Sequence, residues 1–262
     1  MNDEWMPGLK LAMSIEQFQQ LPRNAAYRYE YLDGTAWLSP RPKHFHAQLD
    51  LAAPCAKAET AVKVKLRQLR QTDWHLLEGV FAAAFQRIQP FAGLEDATLA
   101  KAAHQCLGKT RAGGDGPLIS SACVVACGTP SPGMSLRGPG ILGAILITLL
   151  PSGDPEEYDS YYWREPPPAD CITDRQGRPH LTWVFVDPSF AGAGVGSALL
   201  AAAGKRLLRL GFARLFSTFM VGNDLSILWH WRNGFRLLAH PFSRRKWTRL
   251  ARALKRKKGV PS

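Results

Sequence analysis

The chain has 262 residues, enough for one large domain or an ordinary domain with appendages, and its 46% apolar and 21% charged residues exclude wholesale disorder. A net charge of +12 asks for an acidic partner, but nine basic and no acidic residues fall between Arg244 and the end, so the remaining 24 basic residues face 21 acidic ones, or only +3. Five scattered cysteines (Cys55, Cys106, Cys123, Cys127, Cys171) give no CxxC pair and no zinc-finger spacing, and no apolar run approaches the roughly 18 residues of a membrane span, so the expectation is a cytoplasmic protein without structural metal or disulfide framework.

In chain order, MSIEQFQQLP reads as a short helix, with Ser14 at its N-cap and Gln17 completing a capping box. YRYEYLDGTAWLSPRP reads as two aromatic strands joined by a hairpin turn at Asp33-Gly34. From Val62, VKVKLRQLR alternates apolar and basic residues, as a half-buried strand does. Asp73 is placed to N-cap a helix in DWHLLEGVFAAAFQRI, and a second helix runs from about Leu94 to Leu107. Two strands follow, LISSACVVACGT and GILGAILITLL. Between Pro151 and Pro179, six prolines and the cluster YDSYYW mark a long loop or insertion. Beyond it come the strand HLTWVFVDP, a glycine loop with its helix (AGAGVGSALLAAAGKRLLRLG), the strand RLFSTFMV, the helix NDLSILWHWRNGF and the strand RLLAHPF. From Val62 the order is β, α, α, β, β, β, α, β, α, β, which predicts a mixed α/β sheet with helices on its faces.

The glycine loop is the most informative stretch. The apolar strand VFV runs through Asp187-Pro188 into Gly192, Gly194 and Gly196, and Ser197 opens an amphipathic helix that Gly211 closes. Alternate glycines leave successive N–H groups bare at the positive end of a helix, where an anion can sit. A Walker loop would need Gly-Lys before Ser or Thr, and a dinucleotide fingerprint would need its third glycine one residue later. Neither spacing is met. In the last long helix, Leu225, Leu228, Trp229 and Arg232 fall on one stripe and Asn223, Ser226 and His230 on another, so one face is expected to pack while the other looks into a site.

Together these two blocks resemble the GCN5-related N-acetyltransferase (GNAT) superfamily. VDPSFAGAGVGSALL is similar to its acyl-coenzyme A loop, V-x-P-x-x-[QR]-x-x-G-x-[GA], and NDLSILWHWRNGF to its following block, N-x-x-A-x-x-L-Y-x-x-x-G-F. The resemblance extends loosely over residues 62 to 242. It implies a splayed sheet with the coenzyme in the V between the fourth and fifth strands of that fold. Pantetheine would run along the backbone of Val184, Phe185 and Val186. The pyrophosphate would lie on the amides of Gly192, Ala193, Gly194, Val195, Gly196 and Ser197, and Asn223 would face the coenzyme. Ala191 stands at the Gln/Arg position, which removes a side chain but leaves the amides. His230 stands at the family tyrosine that protonates the leaving thiolate. It either serves as that acid, since both forms of a histidine carry an N–H, or fills the tyrosine's volume. For a general base the residues leave His180, Asp174 or an ordered water.

Residues 1–61 read as an accessory helix and hairpin. They also resemble the start of the Uma2-like endonuclease family through the helix, the hairpin and His46, but that family's Glu-x-Lys pair occurs nowhere in the chain. Residues 62–242 read as the acyltransferase domain and 243–262 as a basic amphipathic tail. In the tail Trp247, Leu250, Ala251 and Leu254 recur at helical spacing, and it would dock on its own domain, bind nucleic acid or ribosome, or lie on an anionic membrane. The function expected is acetyl transfer from acetyl-CoA to a primary amine on a small molecule or protein. The alternatives are a non-catalytic acyl-CoA-binding regulatory module, or a nucleic-acid-associated protein acting through the tail.

Overall fold

Residues Ile141–Leu150 form the strand β7, and all ten are buried. A strand with no exposed position must be covered on both faces. The helices α2 (Trp74–Phe85) and α4 (Val195–Arg209) both pack on it, so they cover opposite faces of one sheet. The computed structural model describes residues 9–22, 27–40, 44–53, 60–88, 90–128, 140–153, 163–220 and 223–238. The basic tail, Cys55 and most of the YDSYYW cluster lie outside them.

The remaining elements are β1 (Leu9–Ala12), α1 (Ile15–Gln20), β2 (Tyr27–Leu32), β3 (Thr35–Pro40), β4 (His44–Asp50), β5 (Lys65–Gln68), α3 (Asp96–Arg111), β6 (Val124–Cys127), β8 (Arg178–Val186), β9 (Arg214–Met220), α5 (Asp224–Arg232) and β10 (Arg236–Leu237). Seven strands form the main sheet in the order β10-β4-β9-β8-β7-β6-β5. Every pair in it is antiparallel except β8 with β9, which are parallel and joined through α4. From β5 onward the element order is the one read from the sequence. The fold is mixed α/β with a GNAT-like splayed sheet. The splay is visible in the register, because β8 and β9 pair only at His180–Phe216 and Leu181–Ser217 before they part.

The N-terminal segment departs from the expected accessory unit. Ser14 and Gln17 do form the capping box on α1, and Asp33 and Gly34 both take positive φ in the β2–β3 turn. The hairpin gains β1 as a third strand, in the order β1-β3-β2. The boundary at residue 61, however, does not divide the sheets. β4 lies before it, yet pairs along its whole length with β9, from His44–Met220 to Asp50–Arg214. His46 is therefore a residue of the main sheet, 5% exposed, and is not grouped with the small one.

Asp73 also differs from its expected role. It precedes α2 but makes no side-chain cap. Its carboxylate instead accepts two hydrogen bonds from the Arg67 guanidinium, at 2.7 and 2.8 Å, and one from the Arg70 N–H at 2.7 Å. Burial opposes ionisation of Asp73, but these hydrogen bonds outweigh it and hold the carboxyl below its ordinary range. The pair thereby ties the edge strand β5 to the start of α2.

Candidate functional site

The site begins where β8 loses its partner. Asp187 donates its N–H to the carbonyl of Leu142 at 2.7 Å, and Phe185 stands opposite Ala144. Hydrogen bonds in an antiparallel pair fall on alternate residues, so Phe185 turns its polar groups toward β7. Val184 and Val186 turn theirs the other way, to the side from which β9 has departed. Of the three residues expected to line this edge, two thus present backbone groups to it. Phe185 contributes instead to an aromatic wall, with Phe81 of α2 at 5.4 Å and Trp183 completing the cluster 4.9 Å from Phe81.

The chain then turns through Pro188–Phe190 and the glycine loop into α4. Ala191 donates its N–H to Pro188 and Ala193 to Phe190, so the Ala193 amide, expected to face an anion, is already occupied. Gly194 caps α4 in the left-handed region at φ 81°, where a Cβ would be strained, and the helix starts at Val195, two residues earlier than expected. No side chain caps this end. The N–H groups of Val195, Gly196 and Ser197 belong to the first turn and have no intrahelical acceptor. They point out of the positive end of a 15-residue helix. Gly196 packs closely on the neighbouring helix, where a Cβ would lie 3.0 Å from the indole Nε1 of Trp229. The loop is anchored from the N-terminal side as well, by the Ala61 N–H on the Ala193 carbonyl at 3.0 Å.

In α5 the two stripes are reversed from the sequence expectation. Leu225 and Leu228 are 70% and 45% exposed, whereas His230 is 2% exposed. The reason is the partner set waiting for the imidazole on β9. The Nδ1 of His230 stands 2.7 Å from the Ser226 carbonyl oxygen, so Nδ1 carries the proton and donates it. Its Nε2, 2.8 Å from Ser217 Oγ, is left to accept the serine hydroxyl. The ring stacks on Phe219 at 4.2 Å and meets Trp229 and Phe235 edge-on at 5.0 and 4.7 Å. Burial pushes its pKa down to about 4. A neutral imidazole with both nitrogens engaged fastens α5 to β9. Asn223 is similarly engaged, accepting the Ser226 N–H on Oδ1 at 3.0 Å as the N-cap of α5.

The two side chains proposed from sequence as a base separate clearly. Asp174 is exposed in a turn whose next residue, Arg175, abuts Gly211 beyond the C-terminal end of α4. A helix of this length runs about 22 Å, which removes Asp174 from the loop at the other end. His180 sits at the point where β8 and β9 part. Its Nδ1 is 3.2 Å from Thr182 Oγ1 and its Nε2 is 3.1 Å from Thr218 Oγ1. Thr182 in turn meets Thr148 at 2.8 Å, and Thr218 faces His46 Nδ1 at 3.4 Å. Sequence reading missed these partners, although Thr148, Thr182 and His46 are polar residues at strand positions whose neighbours are apolar. Among the described residues, no group of three His, Cys, Asp or Glu side chains is placed to hold a metal ion, and no helix is long and apolar enough to cross a membrane.

Comparison with known proteins bears on the same segment. Residues 141–235 match the model of the acetyltransferase (GNAT) family. Curated proteins give no match. Similar solved structures include the PaiA N-acetyltransferase of Thermoplasma acidophilum in complex with coenzyme A, at 12% identity over 66% of this chain and 90% of that one, with a TM-score of 0.43. Others are a GNAT family acetyltransferase of Brucella melitensis in complex with acetyl-CoA (19%, 57% and 69%, TM-score 0.35) and a GCN5-related N-acetyltransferase of Sphaerobacter thermophilus (15%, 75% and 49%, TM-score 0.45). The stretch from the start of β7 to the turn that follows α5 is thus the part of the chain that is similar to the GNAT acetyltransferase family.

Proposed function

We propose that this protein transfers an acetyl group from acetyl-CoA to a primary amine, holding the coenzyme's pyrophosphate on the amides of Gly192, Gly194, Val195, Gly196 and Ser197. The pantetheine arm follows the open edge of β8 past Val186 and Val184. The observation that carries this reading is the adjacency of two unsatisfied backbone features, the uncapped first turn of α4 and the β8 edge that β9 leaves bare. An anion answers the first and an amide-bearing chain answers the second. The residues present fit the group, because Gly194 has the backbone conformation the turn needs and no side chain projects from the loop between Gly192 and Gly194 except the methyl of Ala193.

Acetyl-CoA bound there supplies a thioester whose acyl carbon an amine can attack. The protein's part is to bind and orient. With Ala191 in place of a longer polar residue, coenzyme affinity rests on backbone donors alone. From Val186, four residues back along β8 reach Thr182 at about 13 Å, which brings the acyl end of the arm to the apex of the splay. His230 holds its proton at Nδ1 on the Ser226 carbonyl and has none at Nε2 to give, so it acts in positioning α5 and not as the acid for the thiolate. The transferase unit on this reading includes β4 and extends from residue 44, with residues 9–40 as its accessory part.

Calorimetric titration with coenzyme A and acetyl-CoA, followed by thiol release from acetyl-CoA in the presence of primary amines, tests the reading. Micromolar binding and amine-dependent release support it. Binding without release on any amine favours a regulatory acyl-CoA-binding module.

A further inference from the structure

A line of polar side chains crosses four strands of the main sheet at the apex of the splay. It runs from Thr148 on β7 through Thr182 and His180 on β8 to Thr218 on β9 and His46 on β4, with successive separations of 2.8, 3.2, 3.1 and 3.4 Å. These five residues come from distant parts of the chain and are brought into line by the registers Thr148–His180 and His46–Thr218. β8 carries an extra residue against β7 at this level, between Leu181 and Trp183, so Thr182 sits on a bulge. A small cavity opens beside the line, bounded by His46, Arg178, His180, Phe216 and Thr218. Polar side chains seldom gather within a sheet unless all are satisfied or used.

We infer that this line is a proton relay for the acetyl transfer, in which His180 takes up the proton of the acceptor amine by way of Thr182 and passes one on through Thr218 to His46. The inference rests on the acetyltransferase reading of the site. The separations admit two concerted directions of hydrogen bonding. In the one the relay uses, Thr148 donates to Thr182 Oγ1, Thr182 donates to His180 Nδ1, His180 Nε2–H donates to Thr218 Oγ1, and Thr218 donates to His46 Nδ1.

As the amine nitrogen bonds to the acyl carbon, its proton moves to Thr182 Oγ1 and the Thr182 hydroxyl proton moves to His180 Nδ1. His180 releases its Nε2 proton to Thr218 Oγ1, whose own proton goes to His46 Nδ1. The C–S bond breaks with its electron pair on sulfur, and the thiolate is protonated from solvent. Each hydroxyl gains and loses one proton, His180 changes tautomer without net charge, and the amine's proton is held by His46. The groups facing His180 are Arg178 on its own strand, Asp115 after α3, His230 on α5 and His46 on β4. Burial, seconded by the Arg178 charge, pushes the His180 pKa down to about 4, so the imidazole is neutral at neutral pH.

The test uses the full chain, with acetyl-CoA and a high concentration of ethylamine or, without amine, water as acceptor, and reads thiol release together with coenzyme A affinity. His180→Ala is expected to lower kcat by on the order of 100-fold or more, with coenzyme A affinity and the KM for acetyl-CoA unchanged. Thr218→Val, which keeps shape and removes the hydroxyl, is expected to lower kcat about 10-fold, and Thr218→Ser to restore it. Coenzyme A affinity at the wild-type level shows that each variant has folded. Wild-type kcat in both His180→Ala and Thr218→Val overturns the relay, as does a wild-type protein that binds coenzyme A but releases no thiol. Failure of the wild-type protein to bind coenzyme A overturns the reading of the site itself.

Discussion

His230 and Ser217 meet across the α5–β9 interface at 2.8 Å, both of them 2% exposed. With the Ser226 carbonyl holding the proton on Nδ1, the contact leaves Nε2 to accept the serine hydroxyl, and on the proposed reading the residue positions α5. Replacing His230 with Phe keeps a ring against Phe219 but strands the Ser217 hydroxyl. The expected cost is about 1–3 kcal/mol in folding stability, read from urea denaturation, with coenzyme A affinity and kcat within a few-fold of wild type. A 100-fold loss of kcat at unchanged stability would return the residue to the role of acid.

The same residue ties stability to pH. His230 has an ordinary pKa of 6.5 when unfolded and about 4 when folded, so below pH 6.5 the unfolded chain takes up a proton that the folded chain refuses. Its contribution is fully present above pH 6.5 and is lost as pH falls toward 4. By pH 5 the loss amounts to on the order of 2 kcal/mol from this group, and His180 adds to it in the same direction. Urea midpoints for wild type and His230→Phe at pH 7 and pH 5 measure it, and the variant is expected to show the shallower dependence.

Asp73 and Arg67 join β5 to the start of α2, with the Asp73 side chain only 4% exposed. Asp73→Ala removes three charge-assisted hydrogen bonds and leaves the guanidinium without its carboxylate partner. A loss of roughly 2–4 kcal/mol is expected, and thermal denaturation reads it.

Trp229 and Gly196 form the contact between α5 and the anion-facing turn of α4. Gly196→Ala places a methyl 3.0 Å from the indole nitrogen, so the indole must move. The expected outcome is a shifted tryptophan emission, a stability loss of about 1 kcal/mol and weaker coenzyme A binding. Unchanged emission and affinity would show that the two helices are not packed as described.

Much of this architecture was legible in the sequence because local signals and tertiary environment agreed. GILGAILITLL has no polar face and becomes the doubly covered β7, and the glycine loop does run into a helix, although α4 starts at Val195 and not at Ser197. β4 was legible and overlooked. Phe45, Ala47 and Leu49 alternate with His44, His46, Gln48 and Asp50, but the segment lies among residues assigned to an accessory hairpin, and only its pairing with β9 reveals its sheet. The stripes of α5 were misjudged for a different reason. Periodicity ranks His230 as polar and Leu225 as apolar, whereas burial follows partners, and Ser217 lies 13 residues away on another strand. The polar line from Thr148 to His46 was beyond reach, since no spacing along the chain joins residues that only sheet register brings together.

The central claim is that the α4 N-terminus holds the coenzyme through its backbone amides. Isothermal titration of coenzyme A into wild type and Gly194→Glu, with melting temperatures recorded for both, tests it most directly. The glutamate adds left-handed backbone strain of about 1–2 kcal/mol and a negative charge at the proposed pyrophosphate position. The account predicts measurable binding to wild type and none to a variant that still melts cooperatively. Equal affinity in the two proteins would contradict it.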